Sequence, residues 1–188
     1  MLAGGGSVRF GRDKLAEPYL GMPLLNHAVL RLAAICDDVV VVLAPSADAS
    51  GLPPGVRPAF DPTPGEGPLA GLQAGLLSAV AADLVIVAGG DMPDLQVPVL
   101  REMLRVIEEA GVDAVALADG DRARPLPCAL RPASAAGAAH SLLHSGRRRL
   151  RDLLDSLQTA VIDTPTWTAL DPARRTLFDI DEPGDMDR

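Results

Sequence analysis

The sequence predicts a doubly wound α/β fold with a mostly parallel sheet, and three observations carry that expectation. Val39-Val40-Val41-Val42-Leu43 and Leu84-Val85-Ile86-Val87-Ala88 are short, unbroken apolar runs, the pattern of parallel strands covered on both faces. Apolar residues recur at helical spacing before, between and after them. Aromatic residues make up only 3% of a chain that is 48% hydrophobic, so the core must be built from Leu, Val, Ile and Ala packed between helices and sheet. One domain, 1–188, accounts for the whole length.

The chain opens on Leu2-Ala3-Gly4-Gly5-Gly6-Ser7-Val8-Arg9-Phe10-Gly11-Arg12-Asp13-Lys14. Three consecutive glycines let backbone N–H groups crowd around an anion, and Arg9 and Lys14 add the charge that a polyphosphate requires. A glycine turn with solvated charges is the plain alternative. The standard glycine signatures fit poorly: Gly4-x-Gly6-x-x-Arg9 lacks the third glycine of a dinucleotide loop, and Gly6-x-x-x-x-Gly11 leads into Arg12-Asp13 rather than Lys-Ser/Thr. A strand feeding such a loop belongs at the centre of a doubly wound sheet and has about five or six residues. Met1, Leu2 and Ala3 are all that precede the glycines, so the expectation is that the natural chain starts upstream.

Leu24, Leu25, Ala28, Val29, Leu32 and Ala33 then mark the first crossover helix, with Pro23 where a first turn tolerates it. With Val39 to Leu43 it completes a right-handed βαβ unit. From Ala44 to Pro64 the chain is mostly loop, interrupted by a short strand at Val56 to Phe60 that Asp61 ends. Gly65-Glu66-Gly67-Pro68-Leu69-Ala70-Gly71-Leu72 enters a helix reaching about Ala82. A helix start preceded by glycine can present free N–H groups to a base or phosphate, although a Gly-Pro pair is also an ordinary helix start.

The run from Leu84 to Ala88 ends at Gly89-Gly90-Asp91-Met92-Pro93. Ligands of open α/β sheets sit outside the carboxyl ends of strands, which puts Asp91 where chemistry happens, with glycines leaving room beside it. A carboxylate there can hold Mg²⁺, a hard cation bound by one or two carboxylates plus substrate phosphates; the alternative is a cap for the helix beginning near Val97. Val99, Met103, Val106, Ile107 and Ala110 give that helix its apolar face, and Gly111 closes it.

Ala114 to Ala118 is a further strand, Asp119-Gly120-Asp121 a turn, and Arg124-Pro125-Leu126-Pro127-Cys128-Ala129-Leu130 the next strand. A helix covers 133–144. His140 and His144 stand four apart, but no third ligand and no Glu base accompany them, which argues against zinc. Gly146-Arg147-Arg148-Arg149-Leu150-Arg151 opens another helix, and arginines in its first turns oppose the helix dipole. They read either as a solvated charge run or as the receptor for a second anionic ligand. Val161 to Asp163 and Phe178 to Asp181 read as short terminal strands. Asp181 is then a candidate second metal ligand or a strand-end carboxylate in solvent.

A net charge of −8 argues against a general nucleic-acid binder, so an anionic substrate must be met by local cations. Cys36 and Cys128 have neither metal-type nor disulfide-framework spacing and read as free thiols. No apolar run approaches the roughly 18 residues of a membrane span, and no signal-peptide pattern opens the chain, which makes a cytoplasmic protein the expectation.

The opening Leu-Ala-Gly-Gly-x-Ser-x-Arg-Phe-Gly-x-Asp-Lys, the Gly-Pro-Leu-Ala-Gly segment and Gly-Gly-Asp-Met-Pro together resemble the nucleotidyltransferases, especially the molybdenum cofactor guanylyltransferases. The Gly-Arg-x-x-x-Arg-x-x-Leu helix, the Pro-Leu-x-Ala strand, which the family places near its acceptor site, and the terminal Asp179-Ile180-Asp181-Glu182-Pro183 segment add to the likeness, with Asp179 and Asp181 where asparagines are common. The resemblance implies a Rossmann-like fold and transfer of GMP from GTP to a molybdopterin-type acceptor with release of pyrophosphate. It implies Lys14, Arg9 and Asp91 as catalytic residues. Leu2, Ala3, Gly4, Gly5, Gly6, Lys14, Asp61, Gly67, Pro68 and Asp91 would bind the nucleotide, Arg147, Arg148 and Arg149 the acceptor, and Asp91 with Asp181 the Mg²⁺.

After the second strand the family often supplies an Asn for the nucleotide, and this chain has Ala44-Pro45. The alternatives are a cytidylyltransferase or another nucleotidyltransferase acting on a small phosphorylated acceptor, and a nucleotide-binding protein without turnover. Expected partners are GTP and the molybdopterin-type acceptor, with no nucleic acid and no membrane. A monomer or weak homo-oligomer in transient contact with molybdoenzyme maturation proteins is the expected association.

Overall fold

The computed structural model describes residues 1–3, 14–63, 65–79 and 81–187. The elements run in the order β1 (Pro18–Tyr19), β2 (Met22–Pro23), α1 (Leu24–Ala33), β3 (Val39–Leu43), β4 (Val56–Phe60), α2 (Pro68–Ser78) and β5 (Val85–Val87). There follow α3 (Val97–Ala110), β6 (Ala114–Asp119), β7 (Arg122–Leu130), α4 (Pro132–His144), α5 (Leu150–Ser156), β8 (Thr159–Ile162) and α6 (Thr164–Leu170).

β3 pairs with β4 in parallel, and β5-β7-β6-β8 forms a four-stranded unit. Leu2 joins the two, bridging Val42 on one side and Gly89 on the other, parallel to both. The amide of Leu2 donates to Ala88 O and that of Ala3 to Val42 O, both at 2.9 Å; Leu2 O accepts from Gly90 N–H, also at 2.9 Å. Met1 to Ala3 therefore occupy the middle of the sheet, and the Met1 ammonium donates to Val40 O at 2.7 Å. Burial lowers that amine to about 6. Across the sheet the order is β4, β3, the Leu2 segment, β5, β7, β6, β8. Within it β7 alone is antiparallel.

The two faces of the sheet carry separate cores. One gathers Leu32 of α1, Val99, Met103 and Ile107 of α3 and Trp167 of α6 against Val41, Val115 and Leu117. The other packs Leu69, Leu72 and Leu76 of α2, Ala135 and Ala139 of α4 and Leu153 of α5 against Val87, Ala116 and Leu130. Burial on both faces explains why the strands read as continuous apolar runs. A cavity of about 680 Å³ is lined by Met1, Val40, Leu76, Val85 and Leu104 among others, and Asp91 is not part of its lining.

Several expectations are corrected. α2 ends at Ser78 rather than near Ala82. The helix expected from Gly146 begins at Leu150, so Arg147 and Arg148 precede it and Arg149 is its N-cap. The dipole conflict therefore shrinks to Arg151, with Asp152 in the first turn as its counterweight. Phe178 to Asp181 pairs with no strand among the described residues; Ile180 is pinned by its amide to Asp91 O at 2.9 Å and buried with Tyr19 and Leu24. Helix α6 was not foreseen: Asp163, read as a strand end, is its N-cap and accepts from Thr166 N–H at 2.8 Å.

Candidate active site

Every parallel strand of the sheet directs its carboxyl end to one edge, and the chemistry-bearing residues collect there. β5 ends at Val87 and leads through Ala88 to Gly89, Gly90 and Asp91. The two glycines are needed for space. A Cβ on Gly89 would stand 2.3 Å from Asp91 Oδ1, and one on Gly90 2.9 Å from Leu25 Cδ1. Asp91 is thus free to turn back over the strand end.

Lys14 meets it from the segment that follows the glycine run. Its Nζ donates to Asp91 Oδ2 at 2.9 Å and to Ile180 O at 2.7 Å, and stands 3.6 Å from Asp181 Oδ1. Its side chain is 14% exposed, whereas Asp91 is 30% and Asp181 56% exposed, so the ammonium is the more enclosed partner. Residues 14, 91 and 180–181 meet only through the fold, and the carbonyl of Ile180 carries no side-chain signal that a sequence could reveal. The segment is shaped by Asp185, whose carboxylate accepts from the amides of Asp181 and Glu182 at 3.2 and 3.0 Å.

Beyond Asp181 lies Asp179. Burial pushes its carboxyl up, the neighbouring Asp181 charge adds to the rise, and Arg124 on β7 opposes it from 3.6 Å. Neither Asp179 nor Arg124 stands among the expected site residues. The available signal was an arginine immediately before the Pro-Leu-Pro strand, and only the antiparallel course of β7 brings that end to the functional edge.

On the other side of the Leu2 segment, Asp61 follows β4. It is buried, its amide donates to Leu43 O, and its Oδ1 accepts from Thr63 N–H at 3.0 Å. Gly67 has φ +85°, and a Cβ there would meet Arg148 O at 3.1 Å. The N–H groups expected to be open at the start of α2 are occupied: Pro68 has none, Leu69 donates to Arg148 O at 3.3 Å and Ala70 to Gly67 O at 3.2 Å. The amides of Leu2 and Ala3 are likewise used within the sheet.

The arginine segment is local and divergent. Arg147 pairs with Asp152 at 3.0 Å; Arg148 donates to Leu143 O and Arg147 O and lies 3.4 Å from Glu66; Arg149 is exposed. Gly4, Gly5, Gly6 and Arg9 lie outside the described residues. Asp91 and Asp181 converge on one positive charge, the Lys14 ammonium, and two carboxylates with substrate phosphates form a donor set of the kind Mg²⁺ accepts.

A parallel sheet joined at its centre by a strand entering a glycine run, with a lysine and carboxylates at the adjacent strand end, defines a nucleotidyltransferase-type α/β domain. The chain belongs to the MobA-like NTP transferase domain family, which matches residues 1–161. A probable molybdenum cofactor guanylyltransferase of Chloroflexus aggregans is 31% identical over 195 residues, covering 99% of this chain and 89% of the relative. One of Deinococcus radiodurans is 34% identical over 160 residues, covering 85% and 80%. In fold the chain is similar to the molybdopterin-guanine dinucleotide biosynthesis protein A of Archaeoglobus fulgidus, with a TM-score of 0.82, 24% identity and coverage of 100% and 93%. It is also similar to the 2-C-methyl-D-erythritol 4-phosphate cytidylyltransferase of Thermus thermophilus, with a TM-score of 0.71, 17% identity and coverage of 98% and 93%.

Proposed function

We propose that the chain transfers the guanylyl group of GTP to the terminal phosphate of a molybdopterin-type acceptor. The observation that carries this reading is the convergence of Lys14, Asp91 and Asp181 at the strand end beside the entry to the glycine run. Relatives that align with this chain over 89% and 80% of their own length are named probable molybdenum cofactor guanylyltransferases. An oxygen of the acceptor phosphate attacks the α-phosphorus of GTP in line, the bond to the β-phosphate bridging oxygen breaks, and pyrophosphate leaves.

Mg²⁺, held by Asp91 and Asp181, would supply charge neutralisation across the phosphates. Lys14 is the enclosed cation of the site, and its two anchors fix the ammonium where charge grows on the leaving pyrophosphate. Gly4, Gly5, Gly6 and Arg9 would hold the phosphates, and Asp61 with Gly67 and Pro68 would border the guanosine. Arg147, Arg148 and Arg149 would face the acceptor. Positioning and electrostatics supply the rate, because phosphoryl chemistry asks for little else from the protein.

The test is Mg²⁺-dependent pyrophosphate release with each nucleoside triphosphate, with and without molybdopterin. Release that needs both GTP and the acceptor is the expected result. Equal release with CTP moves the chain to the cytidylyl relatives, and no release with any pair defeats the transferase reading. In thermal melts GTP with Mg²⁺ should raise the melting temperature more than CTP does, since a ligand that binds only the native state stabilises it.

A further inference from the structure

His140 and His144 stand one turn apart at the end of α4, both exposed, and their rings lie with centroids 4.2 Å apart at an angle of 49°. No group of three or more metal-ligating side chains forms among the described residues, so the pair is not a closed zinc site with four protein ligands. A two-nitrogen chelate completed by water is a different object. Residues four apart on a helix are neighbours on one face, and here the two rings already meet on the solvent side of α4.

What each imidazole offers is set by its other nitrogen. His144 Nδ1 lies 2.9 Å from His140 O; a carbonyl only accepts, so Nδ1 carries the proton and Nε2 keeps its lone pair. His140 Nδ1 lies 3.3 Å from Nε2 of Gln73 on α2; an amide nitrogen only donates, so in this arrangement the proton sits on His140 Nε2. Turning the Gln73 amide end for end brings its Oε1 to the same place. His140 then donates from Nδ1 and bares the lone pair on Nε2. A ligating histidine commonly has its second N–H taken by an oxygen in this way.

Two neutral imidazoles with water suit Cu²⁺ and Ni²⁺, whereas Mg²⁺ prefers oxygen donors. Of the nearby arginines, Arg147 is paired with Asp152 and Arg148 with Glu66, and the net charge of −8 favours the approach of a cation.

We propose that His140 and His144 chelate a divalent transition-metal ion of the Cu²⁺ or Ni²⁺ type, with Gln73 turning its amide to fix the His140 tautomer and so brace α4 against α2. The site differs in ligand chemistry from Asp91 and Asp181, and it does not rest on the guanylyl-transfer reading.

The test is calorimetric titration of the full chain, without an affinity tag, with Ni²⁺ in excess Mg²⁺. One Ni²⁺ per chain is expected. His140→Ala and His144→Ala should each weaken binding about tenfold or more, because each removes one arm of the chelate, while the metal-free melting temperature changes little at these exposed positions. Gln73→Glu, which offers only acceptors to His140 Nδ1–H, should tighten binding, and Gln73→Leu should weaken it about tenfold. The electron paramagnetic resonance spectrum of bound Cu²⁺ should show two imidazole nitrogens in the wild type and no more than one in either histidine variant. The proposal is overturned if the wild type binds no Ni²⁺, or if both histidine variants bind as the wild type does, which would assign the ion to another group such as His27 or Cys36. Competition by Mg²⁺ also overturns it, since that would put the ion on carboxylates. Equal affinity in wild type, Gln73→Glu and Gln73→Leu overturns the part given to Gln73.

Discussion

The lysine–carboxylate cluster around Asp91 and the arginine segment 147–149 are both charged, both near the functional edge, and built in opposite ways. The cluster draws residues from 14, 91 and 181, positions far apart in the chain, onto one ammonium that is 14% exposed and anchored to a main-chain carbonyl. The arginine segment is three neighbours whose charges part company, one to Asp152, one to Glu66 and the backbone of the preceding turn, one to solvent. Convergent, enclosed charge costs no reorganisation when a reaction begins. Divergent, exposed charge suits holding a ligand, and it is screened by salt.

The sharpest way to break the comparison is Asp91→Asn. It should leave the fold intact, because the side chain is 30% exposed, while guanylyl transfer falls by about two orders of magnitude or more. Normal turnover at ordinary Mg²⁺ concentrations would show that the cluster does not hold the metal. Gly89→Ala approaches the same residue by geometry rather than charge: the new methyl would stand 2.3 Å from Asp91 Oδ1 and must displace the carboxylate. Activity should drop by about tenfold or more, since small misplacements at a reacting centre are expensive, with melting temperature reporting how much of the loss is folding.

Replacing Arg147, Arg148 and Arg149 together by Ala should raise the acceptor KM by about tenfold and spare GTP, and 0.5 M salt (about a 4 Å Debye length) should mimic it only in part. A fall in GTP affinity at unchanged acceptor KM would erase the division of labour between the two regions. Gly67→Ala tests the seam that joins Arg148 to the nucleotide side. With φ +85° and Arg148 O 3.1 Å from the added Cβ, it should cost about 1–3 kcal/mol in denaturant unfolding. Unchanged stability would mean that the seam yields. Arg105→Ala is the control: its pairs with Glu102 and Glu109 are exposed and lie outside both regions, so stability should change by less than about 1 kcal/mol and kinetics not at all.

How much of this was legible follows from how local each signal is. β3 and α3 were readable because burial on two faces gives a strand an unbroken apolar run and burial on one gives a helix its stripe. Asp91 was readable because the strand before it and the glycines around it are contiguous in sequence. The start of α5 was misread because arginine favours helix and nothing local reveals that Arg148 is bound to the entrance of α2. Phe178 to Asp181 looked like a strand because the apolar Phe178 and Ile180 alternate with aspartates at the period of a strand, yet the amide at Ile180 goes to Asp91 O rather than to a ladder.

The run of elements from α1 to β7, the place of the glycine run at the head of the first unit, and Asp91 at a strand end are determined by the sequence alone, since each rests on residues within one turn or one strand of each other. The tertiary structure decided the rest. It put the Ile180 carbonyl under Lys14, turned the start of β7 to the functional edge so that Arg124 faces Asp179, and occupied the amides of α2, because contacts between distant segments depend on how two cores settle on the opposite faces of one sheet.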